Sequence, residues 1–311
     1  MKIVIISGFL GAGKTSFIKA MAEKTKRQFV VVENEFGELG IDGKLLNENP
    51  ASDDTQMKVW ELTEGCICCS LNQDFAQSVM TIANTLNPDF LLVEPSGIAL
   101  PGQILQQLSK ISYERIQLGA PITIVDALHY QETRRSYPEY FDNQIYVAGT
   151  VVLSKSEQLS EAEFRRIHDD LGLSADVEFP EIHYSHWSQE MWLCMLQKEM
   201  KLEPGQDPAR PQRSFRQGRL KKEKTPETYS LSSVNLHNVD EVERNLLLLL
   251  SGAFGTIIRS KGYCKVGQHW CRFDLVAPDY AITGCEPMQD ERIVFIGHNL
   301  KKDALERLFC R

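Results

Sequence analysis

Eight residues near the start of the chain have the types and spacing to hold a polyphosphate: Gly-Phe-Leu-Gly-Ala-Gly-Lys-Thr from Gly8, a G-x-x-x-x-G-K-[ST] motif. Gly8, Gly11 and Gly13 let the backbone wrap closely and aim successive N–H groups at phosphate oxygens, and the helix start that follows adds its positive dipole end. Lys14 then supplies a point charge to the β- and γ-phosphates, and the Thr15 hydroxyl is placed to ligate Mg²⁺. The nucleotide-contacting set read from the loop is Gly8, Gly11, Ala12, Gly13, Lys14, Thr15 and Ser16. A carboxylate to match it closes the apolar run at residues 89–94 (DFLLVE), where Glu94 would hold Mg²⁺ and Gly97, three residues on, would bring its N–H to the γ-phosphate. Lys14 and Glu94 are the expected catalytic pair.

Two further groups of residues carry chemistry. Cys66, Cys68 and Cys69 fall within four positions, after a glycine and before a segment with helical spacing. Thiols near a helix N-terminus are favoured as thiolates, and thiolates this close repel unless a cation joins them; soft ligands of this kind suit Zn²⁺ or another borderline metal. The spacing is not that of a zinc ribbon, so a tetrahedral site needs ligands from elsewhere, with Glu33 and Glu35 as candidates. Redox sensing and plain packing are the competing readings. The other group is Leu153-Ser-Lys-Ser-Glu157, where GTP-binding proteins carry Asn-Lys-x-Asp. Ser154 and Glu157 replace the Asn and Asp, and Lys155 is kept. The carboxylate that would accept from guanine survives on a stem one methylene longer, so guanine preference is expected in weakened form.

These groups must be positioned by strands and helices. A β-branched run at residues 3–6 precedes the glycine loop and helical spacing at Phe17, Ile18 and Met21 follows it. Residues 28–33 (QFVVVE), 57–62, 89–94, 121–126 (PITIVD) and 146–153 (YVAGTVVL) read as further strands, with helices between and after, including one carrying Phe164, Ile167 and Leu171. Such alternation implies a parallel sheet with right-handed crossovers. Residues 180–186 read as one last strand, with His183 and His186 set aside as ligands, and residues 43–56 as a polar surface loop. Residues 202–226 have the proline, glycine and charge of a linker. Beyond it, residues 229–236, 256–277 and 293–297 have strand character and 242–250 and 301–309 helical character, with no catalytic constellation. Cys264 and Cys271 fall in a strand-like stretch and are assigned to structure.

Composition bounds the rest. A chain of 311 residues suits two domains. A formal net charge of -8 argues against a general nucleic-acid or anionic-membrane surface. No run of about 18 apolar residues is present. Eight cysteines without a signal-peptide pattern point to thiols or ligands in a reducing, cytoplasmic setting. A homodimer is left open.

Taken together, the loop from Gly8, Glu-Asn-Glu-Phe-Gly-Glu from Glu33, Gly-Cys-Ile-Cys-Cys from Gly65 and Glu-Pro-Ser-Gly from Glu94 resemble the CobW-type P-loop GTPases, which are related to UreG and HypB. The resemblance covers nearly the whole chain. It implies an α/β P-loop NTPase fold with a mainly parallel sheet over residues 1–201, a linker at 202–226 and a smaller C-terminal α+β domain at 227–311. It also implies a metallochaperone in which GTP binding and slow hydrolysis accompany delivery of Zn²⁺ or Co²⁺ to a client metalloprotein or cofactor-assembly protein. On this resemblance Glu33, Cys68 and Cys69 are metal ligands, with Cys66 nearby. The chain departs from the pattern at Ser154 and Glu157, lacks a histidine-rich run, and offers no evident Gln to orient an attacking water. The rival readings are a metal-binding or thiol-redox module with structural nucleotide, and an ATP-using activator of a corrinoid protein.

Overall fold

The computed structural model describes residues 1–34, 57–61, 73–111, 115–200, 226–232, 234–288 and 290–310. These form two compact units, one before and one after the linker-like stretch.

The first unit begins with β1 (Lys2–Gly8), the glycine loop and α1 (Lys14–Thr25), followed by β2 (Phe29–Asn34), β3 (Met57–Glu61), α2 (Gln73–Thr85), β4 (Phe90–Pro95) and α3 (Pro101–Leu108). Then come β5 (Gln117–Leu118), β6 (Ile122–Asp126), α4 (Tyr130–Ser136), α5 (Pro138–Tyr146), β7 (Thr150–Ser154), α6 (Glu161–Leu171) and α7 (Gln189–Gln197). Among the described residues the strands lie in the order β3-β2-β4-β1-β6-β7, with β5 beside β1, and every pairing is parallel. Parallel strands covered on both faces must be apolar throughout, which is why β1 reads as an unbroken aliphatic run. Its even residues Val4 and Ile6 pack with Phe17, Ile18 and Met21 of α1 and Trp192 of α7. Its odd residues Ile3 and Ile5 pack with Phe75, Val79 and Ile82 of α2 and Ile104 and Leu105 of α3. On the far side Val151 and Leu153 of β7 meet Phe164, Ile167 and Leu171 of α6. That helix starts at a capping box between Ser160 and Glu163 and stops at Gly172 in the left-handed conformation.

The second unit is an antiparallel sheet, order β11-β10-β9-β12-β8, built from β8 (Glu227–Leu231), β9 (Thr256–Val266), β10 (His269–Val276), β11 (Asp279–Cys285) and β12 (Arg292–His298). One layer is added by α8 (Val239–Leu250) and α9 (Lys302–Phe309). Val242, Leu246 and Leu249 of α8 and Leu305 and Phe309 of α9 meet Cys271, Phe273 and Leu275, every second residue of β10, in one core. Cys264 and Cys271 are direct cross-strand partners with sulfurs 3.3 Å apart, both buried in that core. The sulfur–sulfur hydrogen bond raises the Cys264 thiol pKa, and burial adds to the effect.

Three expected elements differ; the strand read at 229–236 is β8, which ends at Leu231. The strand read at 146–153 starts late, because α5 runs through Tyr146 and β7 begins only at Thr150. Gly149 between them turns close to the preceding strand, its N–H bonded to Pro121 O at 2.8 Å. The strand read at 180–186 is instead a 3₁₀ turn at Tyr184–His186, and the pairing with β7 is a single bridge at Glu178. A local bond explains this: the His183 side chain accepts from Ser185 N and caps the turn. The edge strand β11 escaped the sequence reading because it is largely exposed and carries little apolar periodicity.

Candidate functional site

The glycine loop leaves the C-terminal end of β1, between β4 and β6, where the chain's strand order diverges to the two sides of the sheet. Open parallel sheets place their ligands at such a divergence. Two glycines are there for steric reasons. Gly8 has φ +146°, and a Cβ on it would lie 2.4 Å from Ile124 O; a Cβ on Gly97 would lie 2.3 Å from Leu10 N. The loop after β4 therefore presses its backbone onto the glycine loop.

Lys14 and Thr15 open α1 behind Gly13, which caps the helix in the left-handed conformation at φ +86°. The Lys14 ammonium is buried and donates to the carbonyls of Gly8 (3.1 Å) and Phe9 (3.4 Å), so it lies inside the loop's own curl. Thr15 Oγ1 donates to Glu94 Oε1 at 3.1 Å, bringing a hydroxyl and a carboxylate from different elements together. Two hard oxygen donors beside a buried ammonium fit a small divalent cation and an anionic ligand. Gly11 and Ala12 complete the loop, whereas Ser16 faces solvent.

Behind the loop runs a buried polar chain that sequence reasoning missed. Thr123 Oγ1 of β6 donates to Gln144 O (2.9 Å), so Ser7 of β1 supplies the proton of the Ser7–Thr123 contact (2.8 Å), and Gln144 Nε2 donates to Gly97 O at 3.0 Å. The one available signal was two amides, Asn143 and Gln144, on a helix with aromatic neighbours; both are buried.

The segment read as the base site divides. Ser154 is buried, and its hydroxyl points to the carbonyls of Ala12 (2.7 Å) and Val125 (3.3 Å), tying β7 to the glycine loop. Lys155 adopts φ +52°, and its ammonium pairs with Asp126 Oδ2 at 2.6 Å. The same Oδ2 faces His129 Nδ1 at 3.1 Å, while Oδ1 accepts from the backbone of Leu128 and His129. Burial works against the Asp126 carboxylate, yet bonds from Lys155 and His129 hold it below its ordinary range. Glu157 is 60% exposed and stands 3.4 Å from Nε2 of the buried His183. Asp126 was not singled out by the sequence, and His183 was weighed there only as a metal ligand and set aside.

The cysteine cluster at Cys66, Cys68 and Cys69 lies outside the described residues, as do residues 35–38. Of Glu33 the backbone is described: it is the last residue but one of β2, in register with Glu94 of β4. Among the described residues no group of three or more His, Cys, Asp or Glu side chains is arranged to hold a metal ion.

A glycine loop between a buried parallel strand and a helix, with lysine and hydroxyl at its end and a carboxylate from the neighbouring strand, defines a P-loop α/β fold. Residues 2–175 match the CobW/HypB/UreG nucleotide-binding domain, and residues 232–311 match the cobalamin synthesis protein CobW C-terminal domain. The chain belongs to the CobW/HypB/UreG family. It is 27% identical to the zinc chaperone YjiA of Escherichia coli over 322 aligned residues, covering 99% of this chain and 97% of the relative. It is 31% identical over 198 residues to the zinc chaperone CobW of Pseudomonas aeruginosa, a match that takes in 55% of this chain and spans only about half, 53%, of that relative. The crystal structure of Zn(II)-bound YjiA GTPase from E. coli aligns over 99% of this chain and 97% of its own, with 21% identity and a TM-score of 0.46. No helix among the described residues is long and apolar enough to cross a membrane.

Proposed function

We propose that this protein is a Mg²⁺-dependent, GTP-hydrolysing metallochaperone that takes up a transition metal, Zn²⁺ or Co²⁺, at Cys66, Cys68 and Cys69 with Glu33, and passes it to a client metalloprotein or cofactor-assembly protein. In this reading residues 1–201 are the GTPase domain, 202–226 the linker and 227–311 the C-terminal domain. The observation that carries the nucleotide half is the meeting of Thr15 Oγ1 and Glu94 Oε1 at 3.1 Å, next to the buried Lys14. Thr15 and Glu94 would hold Mg²⁺, which when bound supplies charge neutralisation across the transferring phosphoryl group. Lys14 exchanges its bonds to loop carbonyls for phosphate oxygens and steadies the charge that builds on the leaving phosphates. The Gly97 N–H would meet the γ-phosphate, and Glu157 takes the guanine edge. The sequence offers no evident Gln to orient an attacking water, and without one or a supplied arginine hydrolysis is slow. The names of the E. coli and P. aeruginosa relatives, both zinc chaperones, support zinc as cargo.

The test is phosphate release by the purified full chain with GTP and Mg²⁺, followed over many turnovers beside Zn²⁺ and Co²⁺ titrations of wild type and a Cys68→Ala, Cys69→Ala double variant. Sustained turnover and metal binding lost in the double variant are expected. A single bound nucleotide never turned over would favour a structural-nucleotide module, and tighter ATP than GTP binding would overturn the guanine assignment.

A further inference from the structure

His183 is 5% exposed, in the segment between α6 and α7, and its ring orientation is fixed from both sides. Tyr184 packs against it with ring centroids 4.1 Å apart. Nδ1 takes the Ser185 backbone N–H at 3.3 Å and lies 2.8 Å from the Ser185 hydroxyl. A backbone amide can only donate, so Nδ1 is the acceptor and the neutral ring carries its proton on Nε2. That nitrogen is buried, and no hydrogen bond to it is completed among the described residues. Glu157 Oε1 lies 3.4 Å from it, near enough to bond but off the line that would complete one.

A buried N–H 3.4 Å from a carboxylate on a largely exposed stem needs only a small turn of that stem to complete the bond. Glu157 reaches one methylene further than the aspartate usual at this place, so its oxygens sweep a wider volume unless something holds one of them. We infer that His183 is a positioning residue: its Nε2–H anchors Oε1 of Glu157 and leaves the other oxygen oriented for the N1–H and 2-amino donors of guanine. This rests on the reading of Glu157 as the guanine acceptor. The imidazole thereby restores the directionality that the longer side chain gives up, and selectivity for the base depends on a residue that never touches it.

The experiment measures dissociation constants for GTP and ATP, and kcat at saturating GTP, on the full chain and on Glu157→Gln, His183→Phe, His183→Gln and the Glu157→Gln, His183→Phe double variant. Loss of a hydrogen bond to a charged group predicts that His183→Phe weakens GTP binding about tenfold while ATP binding and kcat stay near wild type. His183→Gln retains an N–H donor and recovers most of the loss, and the double variant is no less selective than Glu157→Gln alone. Equal weakening of GTP and ATP by His183→Phe would make the residue merely structural and overturn the inference. So would unchanged selectivity in His183→Phe when Glu157→Gln has lost it. Unchanged selectivity in Glu157→Gln would remove the guanine reading, and the role of His183 with it.

Discussion

Lys14 and His183 illustrate two ways in which one side chain's surroundings set what it can do. Lys14 is a buried cation whose resting partners are backbone carbonyls of its own loop, so its charge is already aimed at the volume the loop encloses. Lys14→Ala is expected to lower kcat for GTP by about 100-fold or more, the scale of removing one preorganised stabilising group, with little change in far-ultraviolet circular dichroism. The surroundings of His183 favour its neutral form. Burial pushes its imidazole below the ordinary value of 6.5, His186 pushes the same way, and Glu157 opposes them without prevailing. The unfolded chain therefore takes up a proton on this ring as pH falls through about 6.5, where the folded chain resists it. This group costs the fold stability on the acid side and nothing at pH 8. Urea unfolding of wild type and His183→Gln at pH 8 and pH 5.5 checks the sign: the wild type should lose more stability between the two than the variant does.

At the scale of elements, the phosphate loop is held by what lies behind it. The loop after β4 touches it through Gly97, and Gln144 of α5 fixes the Gly97 carbonyl from below. Gly97→Ala places a methyl against Leu10 backbone atoms that cannot rotate away, so the expected cost is about 1–3 kcal/mol of stability with a displaced loop. Thermal unfolding should show the loss, and GTP affinity should fall with it. Gln144→Leu keeps the volume but leaves the Gly97 carbonyl and its approach to the glycine loop unsupported. The expected result is weakened GTP binding with a smaller change in melting temperature, measured by calorimetry in both cases. In the second unit, Leu246→Ala empties a fully buried site between α8 and the sheet and should cost about 2–5 kcal/mol in chemical unfolding.

Across the whole molecule, the proposed function requires metal and nucleotide to influence one another. Glu33, next to the end of β2, is in register with Glu94, and Glu94 bonds Thr15, so one strand pairing separates the two proposed sites. If the bound γ-phosphate alters the position of Glu33 relative to the cysteines, Zn²⁺ affinity must differ between nucleotide states, by roughly 5- to 150-fold for ordinary couplings, and the nucleotide's affinity must respond by the same factor. Zn²⁺ and Co²⁺ titrations of nucleotide-free, GTP-analogue and GDP forms measure it, and equal affinities in all three would remove the coupled mechanism.

The sequence alone determined the longer strands of the parallel sheet, apart from where the last one starts, and the loop that follows its first strand. Runs such as IVII and FLLV are apolar at every position, and burial on both faces of a parallel sheet accounts for that in strands so short. Likewise, the motif around Lys14 is legible because backbone wrapping demands glycine at fixed places. Long-range partners were not legible. That Ser154 turns its hydroxyl to Ala12, that Gln144 supports Gly97, and that Lys155 pairs with Asp126 depend on residues 29 to 142 positions apart meeting across strands. The segment at 180–186 shows the same limit from the other side: its apolar and aromatic residues read as a strand, but a histidine–serine bond two residues long and the packing of His183 against Tyr184 fold it into a turn. Only the tertiary structure brings His183 to Glu157, because no local pattern records which exposed carboxylate a buried imidazole will face.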